Sequence, residues 1–368
     1  MSPLFGQARQ ILGVDIGVDN IKAVLLKNVK GKPFIEGVAL SPTPKGLLSK
    51  DGVVTSPFTL TEALRIIISA YDLRASRAVV ALNSNLVRII EITIPAVPKE
   101  DVDEIVKWEA AKILDFPIEE SSYDYRFLSM VDREGKDTYK GLLVAVPLTL
   151  VDPIVKGFAR AGLKLAAIEL DAYAEARTLR FLPDFSVDVV YVMLNIGATS
   201  SMLNLYAQGI VLFSRAISFG GNAITNIIKE EMQLSHLEAE RVKKEENLLA
   251  GADVSGDYKE IRERVLEVLE DTLFSEVHRA IAFAQQEWRH AFPGSTMVLI
   301  LSGGGASLKG LRDVMEENLG FKTVLNTALL QVPSRKNLDK KLLGESTLLL
   351  SCALGLALRI FYEEPSYV

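Results

Sequence analysis

Ile11-Leu12-Gly13-Val14-Asp15-Ile16-Gly17, then a short turn and Lys22-Ala23-Val24-Leu25-Leu26, reads as a β-hairpin whose first strand ends on a carboxylate and a glycine. The design returns as Val192-Met193-Leu194-Asn195-Ile196-Gly197, a turn through Ala198-Thr199-Ser200, and Ser201-Met202-Leu203-Asn204-Leu205-Tyr206. Asn195 stands in the place of Asp15 and Gly197 in that of Gly17, 180 positions on (15 to 195). Each copy runs to a second glycine turn, Lys30-Gly31 in one and Gln208-Gly209 in the other. A further apolar run, Val298-Leu299-Ile300-Leu301-Ser302, ends in Gly303-Gly304-Gly305. Two hairpins from duplicated halves can face each other across a cleft and grip phosphates from both sides, while a glycine triplet lets backbone approach a base and sugar.

Asp15 closes an apolar strand, where a carboxylate has no packing reason to be. There it can hold a hydrated Mg²⁺, which takes few protein oxygens and keeps waters for phosphate. Gly17 permits tight backbone approach, and Lys22 can place a point charge on a phosphate. Alone, an Asp-x-Gly hairpin fits a solvated aspartate equally well. The matched second loop, with hydroxyls on Thr199, Ser200 and Ser201, and the later triplet favour paired phosphate loops.

At 368 residues the chain exceeds one ordinary hydrophobic core, so at least two domains are expected. A net charge of −6 without a Lys/Arg block argues against a nucleic-acid surface. The single cysteine, Cys352, lies in an apolar stretch and reads as core. His236, His278 and His290 share no metal spacing. No signal-peptide pattern is visible at the start, and the longest apolar stretch, Leu348 to Leu358, has 11 residues against the roughly 20 that a spanning helix needs. A cytoplasmic protein is expected.

Along the first half, a strand through Phe34 to Val38 precedes a Pro/Gly-rich connection from Ser41 to Pro57. Thr59 or Thr61 then reads as the N-cap of a helix carrying Leu64, Ile67, Ile68 and Tyr71, and Ala78 to Leu82 as a buried strand. From 79 to 165 the pattern changes to a strand (Val87 to Ile94), a helix (Pro98 to Leu114), two strands (Tyr123 to Val131, Tyr139 to Val146) joined at Asp132 to Lys136, and a helix (Leu148 to Ala161) stopped by Gly162. That is the size of a small inserted domain. In the second half, helices are expected over Ala223 to Met232, His236 to Leu249 and Leu308 to Leu319, and an apolar C-terminal helix ends near Ile360. The run Tyr258 to Ala291 puts Ile261, Val265, Leu269, Leu273, Val277, Ile281, Ala284 and Trp288 on one stripe, suited to core burial more than to a coiled coil.

Together these motifs resemble the actin/Hsp70/sugar-kinase superfamily. Within it, the chain is similar to the PilM family of type IV pilus assembly and, less closely, to the division protein FtsA. Phe219-Gly220-Gly221-Asn222-Ala223-Ile224-Thr225 and Ala239-Glu240-Arg241-Val242-Lys243 match segments shared by both. Lys107-Trp108-Glu109-Ala110-Ala111-Lys112-Ile113-Leu114-Asp115-Phe116-Pro117-Ile118, then Tyr123-Asp124-Tyr125, is the most PilM-like piece, and Ala353 to Arg359 resembles the PilM terminus. The resemblance implies an α/β, actin-like (ribonuclease H-like) fold of duplicated domains around a nucleotide cleft, with an inserted small α+β subdomain. The first domain would comprise 1–78 and 166–185, completed by a C-terminal helix in 345–368; the insert, 79–165; the second domain, 186–344.

The resemblance further implies ATP and Mg²⁺. Asp15 and Asn195 would face the metal, with Gly17, Asn20, Lys22, Gly197, Ala198, Thr199 and Ser200 around the phosphates. Gly220, Gly221, Glu240, Lys243, Gly303, Gly304 and Gly305 would line the nucleoside. Glu240 and Lys243 equally fit an i,i+3 pair on a wet helix face. Asp171 falls where relatives place a group near the hydrolytic water, and helix N-capping is its rival.

Two departures bear on hydrolysis. The first turn reads Val18-Asp19-Asn20 where relatives usually carry a hydroxyl, and Asn195 replaces the usual aspartate, weakening the grip on metal and water. A slow ATPase or nucleotide-stabilised scaffold is expected. In the family the partner is PilN, an inner-membrane protein whose short cytoplasmic tail is held near the inserted domain. Val87 to Ile94 and the helix around Trp108 would be that surface unless their apolar residues are only core. Membrane association would come through the partner, at the inner membrane, and self-association stays open. An FtsA-like division role is disfavoured by the ending Arg359 to Val368, with its two acids and a proline, which makes a poor membrane-surface helix. A small-molecule kinase would need a base and an enclosed pocket that no motif announces.

Overall fold

The computed structural model describes residues 10–82, 86–133, 136–207, 210–249, 258–287 and 296–362. In chain order the first half forms β1 (Gln10–Ile16), β2 (Asn20–Val29), β3 (Lys32–Pro42), α1 (Pro57–Ala70), β4 (Arg77–Leu82), β5 (Arg88–Pro95), α2 (Val102–Ala111), β6 (Ser121–Arg133), β7 (Lys136–Pro147), α3 (Leu148–Arg160), β8 (Lys164–Leu170) and α4 (Asp171–Thr178). The second forms β9 (Val190–Ile196), β10 (Ser201–Ala207), β11 (Ile210–Ile217), α5 (Gly221–Met232), α6 (His236–Glu245), α7 (Tyr258–Val268), α8 (Ser275–Glu287), β12 (Met297–Ser302), α9 (Leu311–Leu319), β13 (Thr323–Leu325), α10 (Ala328–Gln331), α11 (Lys340–Ser346) and α12 (Ser351–Leu358). These make two compact units. One holds the described residues up to Thr43 with Ala70–Ala81 and Ala166–Tyr362; the other holds Pro44–Ser69 with the described part of Leu82–Leu165.

The larger unit contains two five-stranded sheets of one design, ordered β3-β2-β1-β4-β8 and β11-β10-β9-β12-β13. In each, three antiparallel strands are followed by a parallel neighbour, β4 beside β1 and β12 beside β9. The correspondence reaches single bonds. Gly17 N–H donates to the Asn20 carbonyl at 3.0 Å, and Gly197 N–H to the Ser200 carbonyl at 3.0 Å. Asp15 pairs across the hairpin with Lys22, and Asn195 with Met202. Even the register shifts coincide, falling between Leu25 and Leu26 in one hairpin and between Leu205 and Tyr206 in the other. The central strands read as unbroken apolar runs because both faces are covered.

One core joins these sheets, drawing Ile11, Val24 and Val79 from the first, Tyr191, Met193 and Ile300 from the second, and Ala174, Ala353 and Leu354 from α4 and α12. Every residue of α12 is buried, Cys352 included, which explains its lack of a polar face. Backbone touches backbone here: a β-carbon on Gly13 would overlap the Ala353 carbonyl oxygen, and one on Gly355 the Ala174 carbonyl oxygen. Beyond the helix end, Arg359 joins Arg177 on the buried carboxylate of Glu169, whose bonds from Arg177 measure 2.6 and 3.0 Å. Among the described residues no single helix is long and apolar enough to cross a membrane; α11 and α12 reach that length only as a pair bent by 100°.

A second core lies on the other side of the β9–β13 sheet. It receives Ile261, Val265, Leu269, Leu273, Val277 and Ile281, so the long amphipathic run is core; Trp288 lies outside the described residues. Five successive four-residue steps would drift about 40° each on a helix of 3.6 residues per turn. The wider π turn at Leu269–Phe274, between α7 and α8, takes up part of that drift.

In the smaller unit a three-stranded sheet, ordered β5-β7-β6, packs Ile92, Ile94 and Leu143 against Val106 and Ala110 of α2. Helix α2 is shorter than the expected span of 98 to 114. Pro98 to Asp101 form a turn, and the last turn tightens at Lys112 and Ile113 ahead of Pro117. The cap of α1 is Ser56, whose hydroxyl accepts from Thr59 N–H at 3.2 Å, rather than Thr59 or Thr61. The reason is Pro57, a residue favoured at the first helical position, which makes its predecessor the cap. Of the expected turns, Glu134-Gly135 and Gln208-Gly209 lie outside the described residues.

Gly355→Val should cost at least about 3 kcal/mol in urea unfolding, since overpacking meets backbone that cannot step aside. Gly344→Ala, in α11 with open space around it, should instead be neutral or gain up to about 1 kcal/mol. Equal midpoints for the two variants would contradict this packing.

Candidate functional site

The first turn is braced from β3, where Thr43 donates its hydroxyl to the Gly17 carbonyl at 2.7 Å and its N–H to the Asp19 carbonyl at 2.9 Å. Val18 and Asp19 are exposed at its tip. Asp15 is not a lone solvated acid, because the Lys22 ammonium sits 2.8 Å from it. Burial pulls the Lys22 ammonium down, but the charge and hydrogen bond of Asp15 outweigh it and hold it above its ordinary value. Gly17 makes room: a β-carbon there would stand 2.6 Å from Lys22 Nζ.

The second turn is braced by the start of α5. Gly221 N–H donates to the Gly197 carbonyl and Asn222 N–H to the Ala198 carbonyl, both at 2.9 Å. A β-carbon on Gly220 would lie 2.5 Å from the Ala198 carbonyl oxygen, and one on Gly305 would overlap the Ile196 side chain. Gly221 faces the Gly305 Cα at 3.6 Å from its β-carbon position. The fold therefore gathers Gly197, Ala198, Gly220, Gly221, Gly303 and Gly305 around one hairpin, with Thr199 and Ser200 exposed at its tip. Gly304 is more open, its nearest neighbour being Leu349. The Ser201 hydroxyl instead donates to the Phe219 carbonyl at 2.7 Å and is used up in the frame.

Helix α6 starts at a capping box, Ser235 with Glu238, which fixes its phase. That phase turns Glu240 and Lys243 inward. They pair with each other, but not on a wet face: both also engage the Thr225 hydroxyl, and Lys243 Nζ donates to the Gly221 carbonyl at 3.1 Å. Burial lowers the Lys243 ammonium, opposed by Glu240 and, more weakly, by Asp19 of the first turn. For Glu240 burial pushes upward, but the bonds from Lys243 and Thr225 leave it below its ordinary value.

Sequence reasoning missed the centre of the polar cluster. Helix α4 begins at Asp171 with Leu170 in the cap position, so Asp171 is a first-turn residue rather than the N-cap. One turn on, Glu175 is buried and accepts three side-chain donors: Asn195 Nδ2 at 2.6 Å, Ser302 Oγ at 3.0 Å and Ser351 Oγ at 3.1 Å. Ser302 and Asn195 are register partners on β12 and β9, which is why both reach it. Burial, against the pull of these donors, pushes Glu175 up to about 7. Burial, then the charges of Glu175 and Asp15, push Asp171 up to about 8. The same acids and burial drive the Cys352 thiol well upward. The available signal was the pair of acids at i and i+4 in an alanine-rich helix, Asp171-Ala172-Tyr173-Ala174-Glu175.

Among the described residues no group of three or more His, Cys, Asp or Glu is arranged to hold a metal. The donor set is one carboxylate, Asp15, beside two glycine turns. That suits Mg²⁺, a cation that takes one or two carboxylates and completes its shell with phosphate and water.

Two sheets of one design, each opening on a glycine turn closed by the same bond, define an actin-like fold. The family model described as type IV pilus assembly protein PilM matches residues 13–361, and the chain belongs to that family. It is similar to the solved PilM–PilN type IV pilus biogenesis complex, at 26% identity and a TM-score of 0.78, over 96% of this chain and 99% of that one. Cell division protein FtsA of Bacillus subtilis (strain 168) is 24% identical over 359 residues, covering 84% of this chain and 77% of FtsA. MreB5 of Spiroplasma citri bound to AMPPNP shares the fold, with a TM-score of 0.54 at 14% identity over 96% of each chain.

Both raised carboxyls stay protonated in the folded chain after their unfolded counterparts have ionised. The native state then binds more protons, so stability falls as pH rises from the unfolded carboxylate range, about 4, through 7 to 8. The ligand-free protein should melt higher at pH 6 than at pH 8.5, and Glu175→Gln should flatten that slope. A slope of opposite sign would refute the assignment.

Proposed function

We propose that this chain is an ATP-binding, actin-like scaffold of type IV pilus assembly that docks the cytoplasmic tail of a PilN-like inner-membrane protein and hydrolyses ATP slowly or not at all. The observation that carries the reading is the pair of turns closed by the same bond 180 positions apart, each ending a strand on Asp15 or Asn195. Gly17, Asn20 and Lys22 on one side, and Gly197, Ala198, Thr199 and Ser200 on the other, would hold the phosphates. Gly220, Gly221, Glu240, Lys243 and Gly303 to Gly305 would hold the nucleoside. Asp15 would anchor Mg²⁺ with Asn195 beside it; the ion, when bound, supplies positive charge to the phosphate oxygens. Lys22, 2.8 Å from Asp15, would exchange that carboxylate for a phosphate oxygen. Slow turnover is supported by Asn195, a neutral amide with one N–H held by Glu175, which brings no negative charge to polarise a water. Asp171 is the group proposed near the hydrolytic water.

The docking surface is assigned to the smaller unit. Strand β5 is an edge of its sheet, with Ile89 44% exposed, and Trp108 of α2 is 63% exposed with Lys112 Nζ 3.1 Å above its ring. An unpaired strand edge beside an exposed aromatic is the kind of surface that takes an extended peptide. The relevant likeness is the PilM–PilN complex. We place the protein in the cytoplasm, at the inner membrane through its partner, and retain the three-part division with 79–165 as the insert. FtsA-like division is the second reading, favoured by the match to FtsA; binding of the chain to anionic liposomes would support it.

Calorimetry should register Mg-ATP binding, weakened about tenfold or more by Lys22→Ala, the loss expected for one charge-assisted phosphate contact. A synthetic peptide of the PilN-like tail should bind the parent, and bind less to Trp108→Ala and to Ile89→Arg. Unchanged peptide affinity in both variants would remove the docking assignment.

A further inference from the structure

We propose that Glu175 is a positioning residue of the nucleotide site: it fixes the carboxamide of Asn195 and makes 195 an amide position, leaving Asp15 to supply the anionic charge toward a divalent cation. This rests on the nucleotide-binding reading above. Asn195 is held at its NH₂ end and has room made at the other. Its Nδ2 donates to Glu175 at 2.6 Å, and its Oδ1 lies where it would overlap a β-carbon on Gly303, a space kept open by a glycine at φ +82°. Once Glu175 is ionised, above about pH 7, the orientation is dictated by chemistry, because a carboxylate only accepts and faces the NH₂ end.

The duplication shows why an acid does not stand there. Asp15 is neutralised by Lys22, its partner across the hairpin. The cross-hairpin partner of Asn195 is Met202, which offers no charge. An aspartate at 195 would remove the N–H donor that faces Glu175 and, at a pH where Glu175 is ionised, set two like charges against each other in a cluster that already holds Asp171 and feels Asp15. Glu175 is itself too buried, at 2% exposure, to meet a ligand. It acts through Asn195, held in turn by Ser302 of β12 and Ser351 of α12.

The test uses four full-length proteins: the parent, Asn195→Asp, Glu175→Gln and the double variant, which moves the carboxylate forward and the amide back. Two readouts are taken at pH 8.5, where Glu175 is ionised: melting without ligand, and ATP affinity with Mg²⁺ and with EDTA. Asn195→Asp should lower the melting temperature by about 5 °C, the size expected for an uncompensated buried carboxylate. The double variant should recover most of that loss. It should also show a Mg²⁺-to-EDTA affinity ratio about tenfold above the parent, having gained a charge beside the cation. If Asn195→Asp alone does not fold, recovery of folded protein in the double variant supports the pairing equally. Additive melting shifts, or one affinity ratio shared by the parent and the double variant, overturn it. A parent that binds no ATP would defeat the nucleotide reading, while ligand-free melting would still decide whether the two residues are coupled.

Discussion

Helix α12 lies so close to β1 and α4 that main chain meets main chain, and the polar centre of the molecule is built on that contact. Gly13 and Gly355 permit it by having no side chain to interpose. The approach carries Ser351 and Cys352, at the start of α12, into the space beside Glu175. At the far end, Arg359 reaches Glu169 because the helix axis is already fixed. Apolar burial alone would leave such a helix free to slide or rotate. Close glycine contacts at one end and an ion triad at the other give it one position.

The halves of the larger unit share a scaffold and differ in charge management. In the first, an exposed-side acid is balanced within its own hairpin by Asp15 and Lys22. In the second, the equivalent place holds a neutral amide, and the acid is displaced one layer inward to Glu175, where three donors from different elements meet it. A symmetric scaffold thus presents an asymmetric field to whatever lies between its turns. Asymmetry of this kind suits holding a polyanion more than activating a water on its far side.

Much of the fold was legible because it is written in period and repeat. The two hairpins, the strand before the glycine triplet, the strands and helices between 87 and 161, and the buried stripe from Ile261 to Ile281 all follow from spacing. Misreadings arose where local rules compete. Pro57 moved the cap of α1 to Ser56, and Pro98 and Pro117 trimmed α2 from both sides. For the site, the glycines could be named because they follow apolar strands in matching places, and the α6 pair was reached through the family resemblance alone. Glu175 could not: its partners come from β9, β12 and α12, and only tertiary structure joins positions as distant as 175 and 351. The inward turn of Lys243 was likewise decided by a helix phase that charge pattern leaves open.

The matching register shifts after Leu25 and after Leu205 constrain how this chain can change length. A residue added or lost inside either hairpin, ahead of its bulge, would rotate the following strand by one pleat and exchange its covered and uncovered faces. The two copies have diverged in nearly every side chain while keeping the same residue count from apolar strand to bulge. The longer connections lie outside the hairpins, and those between β3 and β4 and between β4 and β8 carry the described residues of the second compact unit. With each hairpin kept as a fixed gauge, a scaffold of this design can lengthen its connections without altering the spacing of strand, turn and bulge.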